Sequence, residues 1–194
     1  MKVELLKYDD EKWVAKAARL CYFKAGICEL KEEMTNDKCE NMINKLREMG
    51  HWSPFEHVSF TFYIEGISRA CSHQLVRHRT FKFSQQSQRY VSANNFEYII
   101  PESLENTKEY EKFMKTTFKF YDYLVEVENL KKEDARFVLP NACTTQLMVT
   151  CDARNLWHFF DLRRTKEAQW EIRNLANEMY KLVSEVAPNI FPVD

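Results

Sequence analysis

Glycine is nearly absent: Gly26, Gly50 and Gly66 are the only three in 194 residues. A chain so poor in glycine has no glycine-rich loop to cradle phosphate on backbone N–H groups, which excludes the Walker and Rossmann modes of nucleotide binding. Any phosphate must be held by side chains. The six cysteines contain no C-x-x-C pair, and the five histidines show neither zinc-finger nor H-E-x-x-H spacing, so no metal site is expected. No apolar run approaches the roughly 20 residues of a membrane span, and the opening MKVELLKYDDEKW has no long apolar segment of the signal-peptide kind. These absences predict a cytoplasmic protein with no membrane partner and reduced, mostly buried thiols. Net charge is missing too, with 28 Lys plus Arg against 29 Asp plus Glu, which argues against a generally basic nucleic-acid coat protein.

What the chain does have is core material: 45% hydrophobic and 14% aromatic residues with only five prolines, enough for one domain over residues 1–194 and unlike a disordered chain. Apolar positions at helical spacing predict helices over Asp9–Tyr22 and Asn36–Met49, the second stopped by Gly50, so that two amphipathic helices open the chain. Val58–Ile64 alternates as a strand broken by Gly66, and Ser68 caps a helix to about Arg77. Thr80–Tyr90 reads as an extended loop. A long helix follows over Thr107–Asn129, then a short one over Asp134–Leu139, a strand over Thr144–Thr150, and helices over Ala153–Leu162 and Glu167–Val186. The expected fold class is α+β: a helix-rich single domain with a small, mainly antiparallel sheet.

The chemistry concentrates where acids are missing. No Asp or Glu occurs from Gly66 to Phe96, whereas Arg69, His73, Arg77, His78, Arg79, Lys82 and Arg89 all do. On a helix Arg69, His73 and Arg77 share one face, a repulsion best relieved by an anion. Arginine suits phosphate because its planar fork donates two hydrogen bonds and never loses its charge. The neighbouring Ser84, Gln85, Gln86, Ser87, Gln88 and Tyr90 are suited to reading a base edge, so a nucleotide fits. The opposing reading is a solvated basic face paired with acids elsewhere. Two further polar stretches stand out. One is His51-Trp52-Ser53-Pro54-Phe55-Glu56-His57; the other runs from Asp152 to Arg164, where Arg154, His158 and Asp161 could form a helix-surface salt bridge.

The run Arg77-His78-Arg79, seven residues, then Ser87 resembles the R-H-R-x7-S signature of the flavin-dependent thymidylate synthases. HWSPFEH, ARFVLP (Ala135–Pro140) and DARNLWHFFDLRRTKEAQWEIR resemble further stretches of that family in the same order, from about His51 to Arg173. Asp152 stands where members often carry Asn, His158 where some carry Asn, and Gln85 where some carry an acid; the resemblance does not extend to the segment before His51, which contains Lys24–Glu33. The resemblance implies a homotetramer with active sites between subunits. It also implies conversion of dUMP to dTMP, with methylenetetrahydrofolate as carbon donor, FAD as hydride carrier and NADPH as reductant. By position, FAD would meet Ser53, Arg77, His78, Arg79, Gln85, Asp152, Arg154 and His158. The nucleotide dUMP would meet Gln74, Arg77, Gln85, Ser87, Arg89, Arg136 and Arg163.

The same resemblance implies no covalent enzyme nucleophile. Arg163, placed against pyrimidine O2 and N3, would stabilise charge developing on the ring and is the expected catalytic residue. Ser87 reads as a ligand contact rather than a nucleophile, because no base and orienter complete a triad. His51 and His57 could shuttle protons but read first as hydrogen-bonded structural residues. An RNA-binding module, suggested by Phe81, Phe83 and Arg89-Tyr90, lacks any RRM, KH or zinc-knuckle pattern, so no nucleic-acid partner is expected. A purely structural oligomerisation domain would leave the arginine, serine and glutamine constellation without purpose.

Overall fold

Alternation in the segment after Val58 builds the longest strand. In a computed structural model, which describes residues 1–92 and 97–193, β2 runs Ser59–Ser68 and buries Phe60, Phe62 and Ile64 completely on one face. Each such side chain contributes about 2 kcal/mol by leaving water. With β1 (Lys2–Tyr8), β3 (Lys82–Gln85) and β4 (Thr144–Asp152), β2 forms a four-stranded sheet ordered β1-β2-β4-β3. The pairing is antiparallel. Ala153 N–H donates to Val58 O at 2.8 Å at one end of the β2 and β4 pair, and Arg69 N–H to Cys143 O at 2.9 Å at the other.

The helices are α1 (Lys12–Leu20), α2 (Ile27–Glu33), α3 (Asn36–Glu48), α4 (Arg69–Leu75), α5 (Lys108–Glu126), α6 (Lys132–Ala135), α7 (Ala153–Arg163) and α8 (Trp170–Val186), with a 3-10 turn at Ser53–His57. The chain divides into two compact units. One comprises Met1–Lys2, Ile64–Arg77 and Phe83–Met148; the other comprises Val3–Tyr63, His78–Lys82 and Val149–Asp194. In the first, the fully buried Tyr121 of α5 and Ala135 of α6 gather Leu124, Val125, Val138 and Leu139. In the second, Phe159 and Phe160 of α7 pack with Tyr180 of α8 and Phe191 in tilted and edge-on ring contacts.

Several expectations need correction. The chain opens with a strand, not a helix: β1 is an edge strand in which only Val3 and Leu5 are even half-buried, a pattern too weak to stand out from its charged neighbours. Helix α2 was also unforeseen, because it buries a single side chain, Leu30. Gly66 does not break β2. It lies inside the strand at φ +70, where an added Cβ would come within 3.3 Å of the Met1 nitrogen. The extended loop over Thr80–Tyr90 contains the four-residue strand β3. Gly50 does stop α3: His51 N–H donates to Leu46 O and Gly50 N–H to Arg47 O, the pair of bonds of a Schellman motif, with Gly50 at φ +70.

Candidate active site

In the first unit, Ser68 ends β2 and caps α4, its hydroxyl accepting from Cys71 N–H at 2.9 Å. This start places Arg69 and His73 one turn apart. The helix stops at Leu75, so Arg77 lies beyond it and does not share their face as the sequence spacing implied. Arg69, His73, Gln88, Arg136, Phe137 and Asn141 instead surround a pocket of about 280 Å³, with Leu139 and Pro140 completing its wall. Among the described residues no carboxylate lines it. Burial and then the neighbouring Arg136 charge hold the Arg69 pKa below its ordinary value, which reports two guanidinium groups sharing a confined space. Arg69 donates to Gln86 O (3.3 Å) and Arg136 to Glu133 O (3.2 Å), which leaves both cations aimed by the backbone rather than neutralised by acids. An oxyanion is the chemical complement.

Other predicted nucleotide contacts in this unit are engaged with protein. Gln85 uses its amide nitrogen on Ser72 Oγ (3.0 Å) and Thr145 Oγ1 (3.2 Å), tying β3 to α4 and β4. Ser87 Oγ accepts from Arg89 N–H at 3.2 Å in a local turn. The Arg89 guanidinium is paired with Glu133 at 2.6 Å. Gln74 is half-buried on α4, and Arg77 is exposed just past it.

In the second unit, Asp152 ends β4 and caps α7. Its Oδ1 accepts from Asn155 N–H (3.0 Å) and its Oδ2 from Asn155 Nδ2 (2.7 Å), worth about 1 kcal/mol to the helix. Both carboxylate oxygens therefore have a structural task. The helix presents Arg154 and His158 one turn apart. Arg154 forms its salt bridge with Glu56 of the HWSPFEH turn rather than with Asp161 on its own helix. Trp52, Arg154, Asn155, Trp157, His158 and Asp161 line a second pocket of about 340 Å³, where the rings of Trp52 and Trp157 lie 5.4 Å apart. Ser53 is exposed at the start of the same 3-10 turn, and Arg79 is exposed beside His78.

At the last turn of α7, Arg163 Nε–H donates to His78 Nε2 at 3.1 Å. The imidazole is wedged edge-on against Phe159 with centroids 4.9 Å apart and lies 5.6 Å from Phe81. Burial, followed by the charges of Arg163 and His158, lowers the His78 pKa to about 4, so at neutral pH the ring is uncharged and can accept.

All six cysteines are free, four of them buried, as expected. Burial pushes the Cys143 thiol up to about 11 and that of Cys151 well above the ordinary range, the opposite of what a nucleophile needs. Among the described residues no cluster of three or more His, Cys, Asp or Glu could hold a metal ion, and no helix is long and apolar enough to cross a membrane. Sequence reasoning flagged the charge of Arg69 and His73 but did not place them with Arg136. It missed Trp52, Trp157 and the pairing of His78 with Arg163, for which no sequence signal exists beyond their proximity to the motif.

One unit thus carries a basic pocket with no carboxylate among the described residues, and the other an arginine held by a neutral imidazole, both suited to negative charge. Comparison with known proteins specifies the class. The chain matches the protein family described as thymidylate synthase complementing protein over residues 4–189. It is 47% identical over 212 residues to the flavin-dependent thymidylate synthase of Clostridium tetani, covering 98% of this chain and 85% of that one. Against the enzyme of the same name from Geobacter sulfurreducens the identity is 50% over 199 residues, with coverage of 98% and 85%. For that of Sulfolobus acidocaldarius it is 41% over 197 residues, with 98% and 75% covered. The chain belongs to the flavin-dependent thymidylate synthase family and is an enzyme, which sets aside the RNA-binding and scaffold alternatives.

Proposed function

We propose that this enzyme reductively methylates dUMP to dTMP in the cytosol. The carbon donor is 5,10-methylenetetrahydrofolate, the hydride carrier FAD and the reductant NADPH, and the whole chain acts as one domain within a homotetramer. The observation that carries the reading is the pocket where Arg69, His73 and Arg136 converge without a carboxylate, in a chain whose relatives bear the name thymidylate synthase. There Arg136, with Gln74, Arg77, Gln85, Ser87 and Arg89 as the remaining contacts, binds the nucleotide, the phosphate seated on the paired guanidinium groups. Glu133 is the group that phosphate displaces from Arg89.

The residues suit a flavin. Indole faces beside a guanidinium and an imidazole offer stacking and anion contacts in the pocket of Trp52, Arg154, Trp157 and His158. Ser53, Arg77, His78, Arg79, Gln85, Asp152, Arg154 and His158 would hold it, drawn from more than one chain, with Asp152 also fixing the start of α7. When bound, FAD supplies the two-electron reduction that turns a methylene into a methyl group. Arg163 acts on the pyrimidine, its cation opposite the negative charge that develops at O2 and N3 as C5 becomes nucleophilic. No enzyme nucleophile adds to the ring, in keeping with the raised pKa of the buried Cys143 and Cys151 thiols.

The test is direct. Purified protein supplied with dUMP, methylenetetrahydrofolate, NADPH and FAD is expected to be yellow and to form dTMP. Equal dTMP formation with flavin removed would contradict the reading.

A further inference from the structure

We infer that His78 is a positioning residue for Arg163: its Nε2 accepts the Arg163 Nε–H, fixes the guanidinium plane, and leaves both Nη groups to face the ligand. Three observations carry this. The bond is 3.1 Å long and joins side chains 85 residues apart, so it is made by the fold rather than by local sequence. The imidazole itself cannot swing away, because Phe159 meets it edge-on at 86° and Phe81 lies against it at 33°. No other side-chain partner holds Arg163 among the described residues, so His78 alone sets its rotation. An uncharged ring is also the right partner. A carboxylate there would neutralise the guanidinium, and a protonated imidazole would repel it, whereas a neutral nitrogen orients the fork and leaves its charge for the ligand. Burial and the charges of Arg163 and His158 on α7 keep that ring unprotonated.

The inference rests on the proposal that Arg163 contacts the pyrimidine, and it gives His78 a role other than proton transfer. With Nε2 as acceptor, the proton of the neutral ring must sit on Nδ1. Nitrogen NMR of the FAD-loaded, histidine-labelled wild-type enzyme is expected to show the Nδ1–H tautomer at His78. An Nε2–H tautomer would overturn the assignment, whatever any variant does.

Kinetics gives the second arm. His78→Leu removes the acceptor and is expected to lower kcat per bound flavin about 10- to 100-fold, since a catalytic group displaced by about 1 Å costs that order. His78→Gln, whose Oε1 can accept the same N–H, is expected to recover most of the loss. In an Arg163→Ala background, His78→Leu is expected to add almost nothing. Loss of flavin with normal turnover per bound flavin would show His78 to be a cofactor contact only. The two readings fail differently: near-normal turnover in Arg163→Ala contradicts the role of Arg163, whereas a His78→Leu loss that adds in full to that of Arg163→Ala contradicts positioning by His78.

Discussion

The two units handle arginine in opposite ways. In the first, burial and then the neighbouring Arg136 charge lower the pKa of Arg69, and among the described residues no acid lines their pocket. In the second, the Arg163 Nε–H donates to a neutral imidazole. The first arrangement suits an anion that is charged before it arrives. The second suits charge that appears only as a reaction proceeds, since a preoriented cation costs no reorganisation at that moment. Under the proposed function, a phosphate makes the first demand and a pyrimidine the second.

The contrast breaks most visibly at Arg163. Arg163→Ala is expected to cut dTMP formed per bound flavin at saturating dUMP by two to three orders of magnitude, about 3 to 4 kcal/mol for one lost preorganised contact. Flavin reduction should largely survive, and Arg163→Lys should not restore full activity because an ammonium lacks the planar fork. Arg164 is the internal control: its guanidinium stacks on Tyr180 at 3.6 Å and its Nε–H donates to Asn177, so Arg164→Ala should cost far less turnover. Equal damage from both alanine variants would mean that the end of α7 is needed for folding rather than for this step.

Acidification sharpens the same side of the comparison. His78 has its folded-state pKa lowered to about 4 from an ordinary 6.5. Below pH 6.5 the unfolded chain takes up a proton that the folded chain refuses, so stability falls as pH drops from 6.5 to 4. Discounted for the half-exposed ring, the loss is about 1 to 2 kcal/mol. Denaturant unfolding of wild type and His78→Gln across that range should show the slope only in the wild type from this group; parallel slopes would contradict it.

In the first unit Arg89 is paired with Glu133, and under the proposed function dUMP must displace that pair. Glu133→Gln should tighten dUMP binding by about two- to five-fold, the modest effect of an exposed pair, and the gain should shrink in high salt. Weaker dUMP binding in that variant would point to a ligand-ordering role for Glu133 instead. Smallest of all, single replacement of each of the six cysteines by Ser should leave turnover per folded, flavin-loaded enzyme within about two-fold, although the buried Cys39, Cys71, Cys143 and Cys151 should lose stability by 1 kcal/mol or more. Abolished turnover in one folded variant would reinstate a thiol nucleophile.

Strong periodicity carried well from sequence to structure. The apolar alternation after Val58 and the long stripe of α5 were legible because burial on one face leaves a period in the chain. Edge strands do not: β1 and β3 bury little, so Lys2–Tyr8 and Lys82–Gln85 carry no strong pattern. The site was legible as an inventory of residue types, because the acid-free run from Gly66 to Phe96 and the R-H-R-x7-S spacing are local. Its pairings were not. Arg163 with His78, Arg154 with Glu56 and Arg89 with Glu133 join residues 85, 98 and 44 positions apart, and nothing local in a sequence encodes such contacts.

The division of labour between the two arginine settings is tested most directly by binding dUMP and deoxyuridine, which differ only in the phosphate, to the flavin-loaded wild type and to Arg136→Ala and Arg163→Ala. The wild type should favour dUMP by about 100-fold, given roughly 1.5 to 3 kcal/mol for a hydrogen bond to a charged group. Arg136→Ala should collapse most of that preference, and Arg163→Ala should retain it. A preference that survives in Arg136→Ala, or disappears in Arg163→Ala, would contradict the account.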